Sequence, residues 1–97
     1  MTNSLGNCMK DYEQELLTIT MEECAEVIQA CSKIIRYGAD SKYEGKSALE
    51  TLEKELGDLQ CMIDLLHQND MVSFNRMDEY CDQKREKLKK WSNLIEE

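Results

Sequence analysis

Nothing in this chain is built to interrupt a helix. Proline is absent from all 97 residues and only four are glycine, so the residues that remove a backbone donor or free the backbone to bend are nearly missing. A sandwich or barrel would need turn residues roughly every 8–12 positions. The fold class expected is therefore all-α. A chain this short is read as one helical domain spanning residues 1–97. It buries only a modest core alone, and folds of this size commonly lean on a staple or a partner subunit.

Three helical segments are legible. The first runs from about Asp11 to Arg36, ahead of Gly38. Ser47, with Glu50 three residues on, has the spacing of a capping box and opens the second, which continues to about His67. Asn69 and Asp70 break the pattern, and a third helix follows from about Ser73 to the C-terminus. Tyr37 to Lys46 reads as a loop or short irregular element, and the first ten residues as a loose tail. Stepping about 100° per residue, Leu16, Leu17, Cys24, Val27, Ile28 and their neighbours to Ile35 fill one apolar arc of the first helix. Leu49, Leu52, Leu56, Leu59, Met62 and Ile63 do the same on the second. Arcs of about 200° exceed what a three-helix monomer readily covers. The expected architecture is therefore antiparallel helices in a four-helix-bundle-like core completed by dimerisation, as a homodimer or a dimer of dimers.

The net charge of −8 argues against nucleic acid as a partner, because phosphates repel an acidic surface. A phosphate ligand remains compatible where a divalent cation mediates the contact. Between Lys84 and Lys90 the balance reverses, with five basic residues and one acid. The five cysteines are odd in number and include no CxxC pair. Cys24 and Cys31 sit in the apolar arc, so buried thiols in a reducing cytoplasm are expected. Residues 1–10 lack the apolar run of an export signal, and no apolar run is long enough to span a membrane.

Acids intrude on both apolar arcs. Glu23 and Glu26 on the first helix, and Glu55 and Asp58 on the second, each form an i, i+3 pair projecting from one face. If the two helices pack antiparallel, four carboxylates converge. Bare, such a cluster repels itself; shared protons or hard, oxygen-seeking cations make it tolerable. With 20 acids in the chain, such spacings also arise by chance on solvated faces, as Glu53 illustrates. Their position inside the apolar arcs is what distinguishes the two pairs, since unpaired buried charge is costly.

Glu22-Glu23-Cys24-Ala25-Glu26 followed by Glu55-Leu56-Gly57-Asp58-Leu59 resembles the E-x-x-E…E-x-x-D signature of the MazG-like, all-α nucleoside triphosphate pyrophosphohydrolases. Ser32 to Gly38 resembles the end of the first helix in short, stand-alone, phage-type members. The likeness covers roughly Leu16 to Lys90. It implies Glu23, Glu26, Glu55 and Asp58 as ligands of Mg2+, with Mn2+ able to substitute. It also implies hydrolysis of a nucleoside triphosphate between its α and β phosphates, in the cytoplasm or, for a phage protein, the host cytoplasm. Dimeric dUTPases, dCTP pyrophosphatases and phosphoribosyl-ATP pyrophosphohydrolases share the signature. Glu22 is a base, a hydrogen-bond partner of the ligands, or a plain surface glutamate. Lys33 lies two turns beyond Glu26, within reach of a phosphate, and Arg36 and Tyr37 are candidates to line the nucleotide cleft. Lys84 and Lys87 resemble a K-x-x-K pattern of the family's last helix, against the simpler reading of a solvated helix end. A non-catalytic acidic interaction module is the alternative from another class. Gly57, mid-helix at a cost of about 1 kcal/mol against alanine, suggests a close helix approach within the chain or across a dimer.

Overall fold

A computed structural model describes residues 8–95. It contains three helices and one minimal hairpin: α1 (Asp11–Tyr37), β1 (Lys42–Tyr43), β2 (Lys46–Ser47), α2 (Ala48–Gln68) and α3 (Phe74–Trp91). The fold is all-α. Most of the expected tail, residues 1–7, lies outside the described residues, but Lys10 is described, and its backbone N–H donates to Glu13 Oε1 at 2.9 Å as α1 begins.

Local chemistry sets the boundaries. α1 ends where Gly38, at φ 94°, leaves the helix with its N–H still donating to the Ile34 carbonyl. The hairpin pairs Lys42 with Ser47 and Tyr43 with Lys46. Its two turn residues, Glu44 and Gly45, both sit at positive φ, the signature of a type I′ turn, whose twist suits a two-residue connection. The capping box of α2 forms as its spacing predicts: the Glu50 N–H donates to Ser47 Oγ at 3.1 Å, and the Ser47 N–H donates to Glu50 Oε1 at 3.4 Å. α2 closes on a Schellman motif, with Asp70 at φ 58° and the Met71 and Asp70 N–H groups returning to the Leu66 and His67 carbonyls. α3 ends at Trp91 rather than at the C-terminus. There the Ser92 hydroxyl donates to the Leu88 carbonyl and accepts from the Leu94 N–H, a local alternative to the helical ladder.

The chain divides into two units, the first ending at Leu65 and the second beginning at Leu66. In the first, α1 and α2 run antiparallel. Glu23 lies against Glu55 and Asp58, whereas Ala30, Lys33 and Tyr37, later in α1, share a cavity with Thr51 and Ala48, earlier in α2. Ala30 and Met62 are buried in this unit. In the second, the rings of His67 and Phe74 stack with centroids 3.8 Å apart across the turn into α3, and Leu66 is buried.

α1 is far from covered. Among the described residues Ala30 alone is buried along its 27 positions. Leu17, Met21, Cys24, Ile28, Cys31 and Ile35 are all exposed, Ile28 at 69% and Ile35 at 85%. This corrects the expectation of buried thiols: Cys24 and Cys31 are free and exposed, because the apolar arc is wider than the strip that α2 contacts. Gly57 is corrected in part as well, since a Cβ added there would meet nothing within 4 Å among the described residues, and no close approach among them explains it.

Two substitutions test these local readings by urea unfolding followed by circular dichroism. Gly57→Ala should raise stability by about 0.5–1 kcal/mol, as expected for an open mid-helix glycine. Ser47→Ala should cost about 1 kcal/mol through loss of the cap. A destabilising Gly57→Ala would mean that the site is crowded in solution.

Candidate functional site

The periodicity that places Glu23 on the α2 side of α1 also places Glu55 and Asp58 on the α1 side of α2. One oxygen from each of these three carboxylates lies within 4.8 Å of the other two. Glu55 is 8% exposed and is the one buried charged side chain among the described residues. Glu23 is half-buried, and its Oε2 is fully enclosed with no hydrogen-bond partner among the described residues. Burial is the largest influence raising the Glu23 pKa, followed by the negative charges of Asp58 and Glu55; Glu26 adds a smaller push and Lys54 opposes it.

Lys54 joins the cluster as its counter-charge. Its Nζ donates to Asp58 Oδ2 at 2.8 Å and lies 3.5 Å from Glu55 Oε1. The hydrogen bond to Asp58 is the main reason that its own pKa is raised. The i, i+4 spacing of Lys54 and Asp58 was the available signal. One ammonium among three carboxylates leaves the cluster negative, and the unpartnered Glu23 Oε2 is a buried acceptor without a donor, a costly arrangement.

The remaining expected residues fall into separate groups. Glu26 and Glu22 are exposed on α1, outside the cluster. Lys33 and Tyr37 line an open cavity of about 380 Å³ with Lys42, Tyr43, Lys46 and Thr51, and no carboxylate lines it among the described residues. Thr51 precedes Glu55 by one helical turn, and Ala30 follows Glu23 by two, so the cavity begins about 6 Å along α2 and about 10 Å along α1 from the cluster. Arg36 lies over the Tyr37 ring, 5.2 Å from its centroid, outside the cavity wall. Lys84 and Lys87 are exposed on α3 in the second unit. The hairpin lysines and Tyr43 were missed because Tyr37 to Lys46 read only as irregular; Glu44-Gly45 is a weak version of the Asn-Gly signal that marks a hairpin.

All the clustered donors are carboxylate oxygens, the chemistry of a hard divalent cation such as Mg2+ or Mn2+ rather than of zinc. An enclosed carboxylate oxygen without a donor fits such an ion. Among the described residues no helix is long and apolar enough to cross a membrane. No protein-family model matches the chain, and neither does any curated protein or solved structure.

The raised pKa of Glu23 carries a pH dependence. A carboxyl whose folded pKa exceeds its unfolded value favours the fold while it is protonated. That contribution disappears as pH rises through the raised value. In metal-free protein, Glu23→Gln should therefore melt higher than the parent at neutral pH, with the gap closing as pH falls below the ordinary glutamate value of 4.5. Melting curves from about pH 4 to about pH 8 test this. A gap that is constant across that range would remove Glu23 as its source.

Proposed function

We propose that this chain is a metal-dependent nucleoside triphosphate pyrophosphohydrolase of the MazG type. It would convert a nucleoside or deoxynucleoside triphosphate and water to the monophosphate and pyrophosphate. The observation that carries the reading is the three-carboxylate cluster contributed by two helices, with an enclosed Glu23 oxygen that lacks a donor. Its placement at the E-x-x-E…E-x-x-D positions supports it further. Glu23, Glu55 and Asp58 would hold Mg2+, or Mn2+ in its place, with Glu26 as a further ligand or a partner of a coordinated water. A cation held there would neutralise charge on the phosphoryl oxygens and lower the pKa of a bound water.

The chain's own groups have distinct tasks in this reading. Glu22 or Glu26, both exposed at the rim on α1, would accept the proton of the attacking water. Water oxygen bonds to the α-phosphorus, the bond to the bridging oxygen breaks, and pyrophosphate leaves. The triphosphate brings several negative charges to an acidic chain, so positive groups are needed beside it. Lys33, Lys42 and Lys46 supply them from the cavity in the same groove, and Tyr37 and Tyr43 offer faces for a base. Arg36 would add positive field beside the substrate rather than direct ligation. The acidic balance favours a small nucleotide over nucleic acid, and free, exposed thiols at Cys24, Cys31, Cys61 and Cys81 suit a reducing cytoplasm.

A second reading has its own observation. Lys54 already offsets part of the cluster, so the acids could serve a purely structural network in a non-catalytic interaction module. Pyrophosphate release from single nucleoside triphosphates, with and without Mg2+, separates the two. The hydrolase reading expects Mg2+-dependent release, whereas no release with any nucleotide supports the module.

In the same assay, Glu23→Gln, Glu55→Gln and Asp58→Asn should each lower turnover by about a hundredfold or more, while Glu53→Gln changes little, since ligand charge is lost with almost no change in volume. The pair Lys42→Gln and Lys46→Gln should raise KM by roughly tenfold and spare kcat, as expected when an interaction is made equally in the ground and transition states. Equal activity of the Glu55 and Glu53 variants would remove the cluster from the chemistry.

A further inference from the structure

The basic run of α3 belongs to the second unit, and α3 alone settles where its charges stand. Stepping about 100° per residue from Lys87, Arg76, Tyr80, Gln83, Lys84, Lys90 and Trp91 all fall within about 60° of it. That strip holds four cations and no acid. The acids of the helix, Asp78, Glu79, Asp82 and Glu86, occupy one flank, from about 80° round to the far side. Phe74, Met77, Cys81 and Leu88 make a narrow apolar strip on the other flank.

The cations of the strip are unspent. Lys84 and Lys87 have no acid three or four positions away in either direction, the spacing at which side chains meet on a helix. Arg85 and Lys89 stand on the far side beside the acids, and Lys89 is paired with Glu86 at 2.9 Å. Arg76, Lys84, Lys87 and Lys90 are exposed, and none of them enters an ion pair among the described residues. Two rings share their strip, Tyr80 at 66% and Trp91 at 83% exposed. They lie within about 20° of each other round the helix and about 16 Å apart along it.

We infer that this strip of α3 binds single-stranded nucleic acid. Unpaired cations follow the phosphates, and the exposed rings stack on unpaired bases, the combination by which strands are held without regard to sequence. Charge complementarity selects an anion, and the two rings select one with flat faces to offer. A duplex hides those faces within its own stack. An acidic protein segment would use the cations and leave the rings idle. An anionic lipid surface calls for a broad apolar face, whereas ten of the eighteen residues of α3 are charged. The net charge of −8 disfavours a polyanion over the chain as a whole, so contact is confined to the strip where that balance reverses. From Arg76 to Trp91 it is about 22 Å long, room for a few nucleotides, near the lower end of the roughly 4–16 that single-strand folds engage. The inference rests on α3 alone and is independent of the proposed hydrolysis.

Trp91 is the sole tryptophan, so its fluorescence reports on the strip directly. The full chain is titrated with oligothymidylate of about twelve nucleotides at about 20 mM salt. The oligonucleotide ends in a 5′-hydroxyl, and divalent cations are left out, so nothing draws it to the carboxylate cluster. Its addition should quench Trp91. Plotted against the logarithm of salt, the logarithm of affinity should fall with a slope near about −3, as four cations at about 0.7 each require. Lys84→Gln with Lys87→Gln should bring the slope to about −1.5. Trp91→Leu, followed by the anisotropy of a labelled strand, should weaken binding by roughly tenfold through the loss of one stacked base. Lys42→Gln with Lys46→Gln, in the first unit, should leave binding unchanged. α3 has no buried residue among those described, so these variants keep their helical circular dichroism and lost binding is not lost fold. Unquenched Trp91 at low salt overturns the inference, as does a parental slope in the Lys84 and Lys87 variant. A blunt duplex that binds as tightly as the single strand overturns it too. Anionic lipid vesicles that shift Trp91 emission while the strand does not would assign the strip to a membrane surface instead.

Discussion

Three carboxylates gathered between two helices impose a condition that the rest of the first unit must meet. Their mutual repulsion has to be offset, and the offset has to come from close by, because the surroundings of Glu55 exclude water. Lys54 meets part of that demand from one turn away, and the Glu23 pKa is still raised, by burial first and then by the negative charges of Asp58 and Glu55. The antiparallel run of α1 and α2 is what creates the condition. Only in that sense do Glu23 and the Glu55–Asp58 pair coincide while the hairpin brings Ala48 and Thr51 back beside Ala30. A single apolar residue in place of Glu23 would relieve the repulsion and pack better, so the acids stand there at the expense of stability. That is the physical ground for reading them as functional.

Much of this was written in the sequence at the level of single helices. The absence of proline gave the class, the Ser47–Glu50 spacing gave the start of α2, and Asp70 marked its end, because each depends on residues a few positions apart. The convergence of Glu23, Glu55 and Asp58 was also legible, since an acid inside an apolar arc points where the arc points. What stayed hidden was relational. The i, i+4 spacing puts Lys54 beside Asp58, but that Glu55 and Glu23 share its charge depends on how the two helices meet. The cavity of Lys33, Lys42 and Lys46 needs the hairpin, whose Glu44-Gly45 turn is a faint signal. The exposure of Cys24 and Cys31 needs to be known from what α2 covers, and a wide apolar arc does not say which half of it a neighbour takes. Glu26 paired with Glu23 by spacing yet stands exposed outside the cluster, and spacing alone does not say so, since Asp58, three positions on from Glu55, is inside it.

The two faces of the α1–α2 pair thus carry separate demands. One gathers charge and opens toward a lysine-lined groove, while the other is swept clear of charge. The exposed apolar residues Leu17, Met21, Ile28 and Ile35 and the carboxylate of Glu23 fall on different strips of one helix, along which Ala30 alone is buried among the described residues.

Lys54 also gives the cluster a counter-ion of its own. Its ammonium is tethered by a four-carbon arm, so its local concentration at Asp58 is set by the length of that arm. For flexible tethers such concentrations are of the order of millimolar or above. Exchange of buffer leaves this counter-ion in place, while salt screens the attraction of a pair whose side chains are 57% and 42% exposed. The cluster thus carries part of its neutralisation with it, one turn away on the same helix.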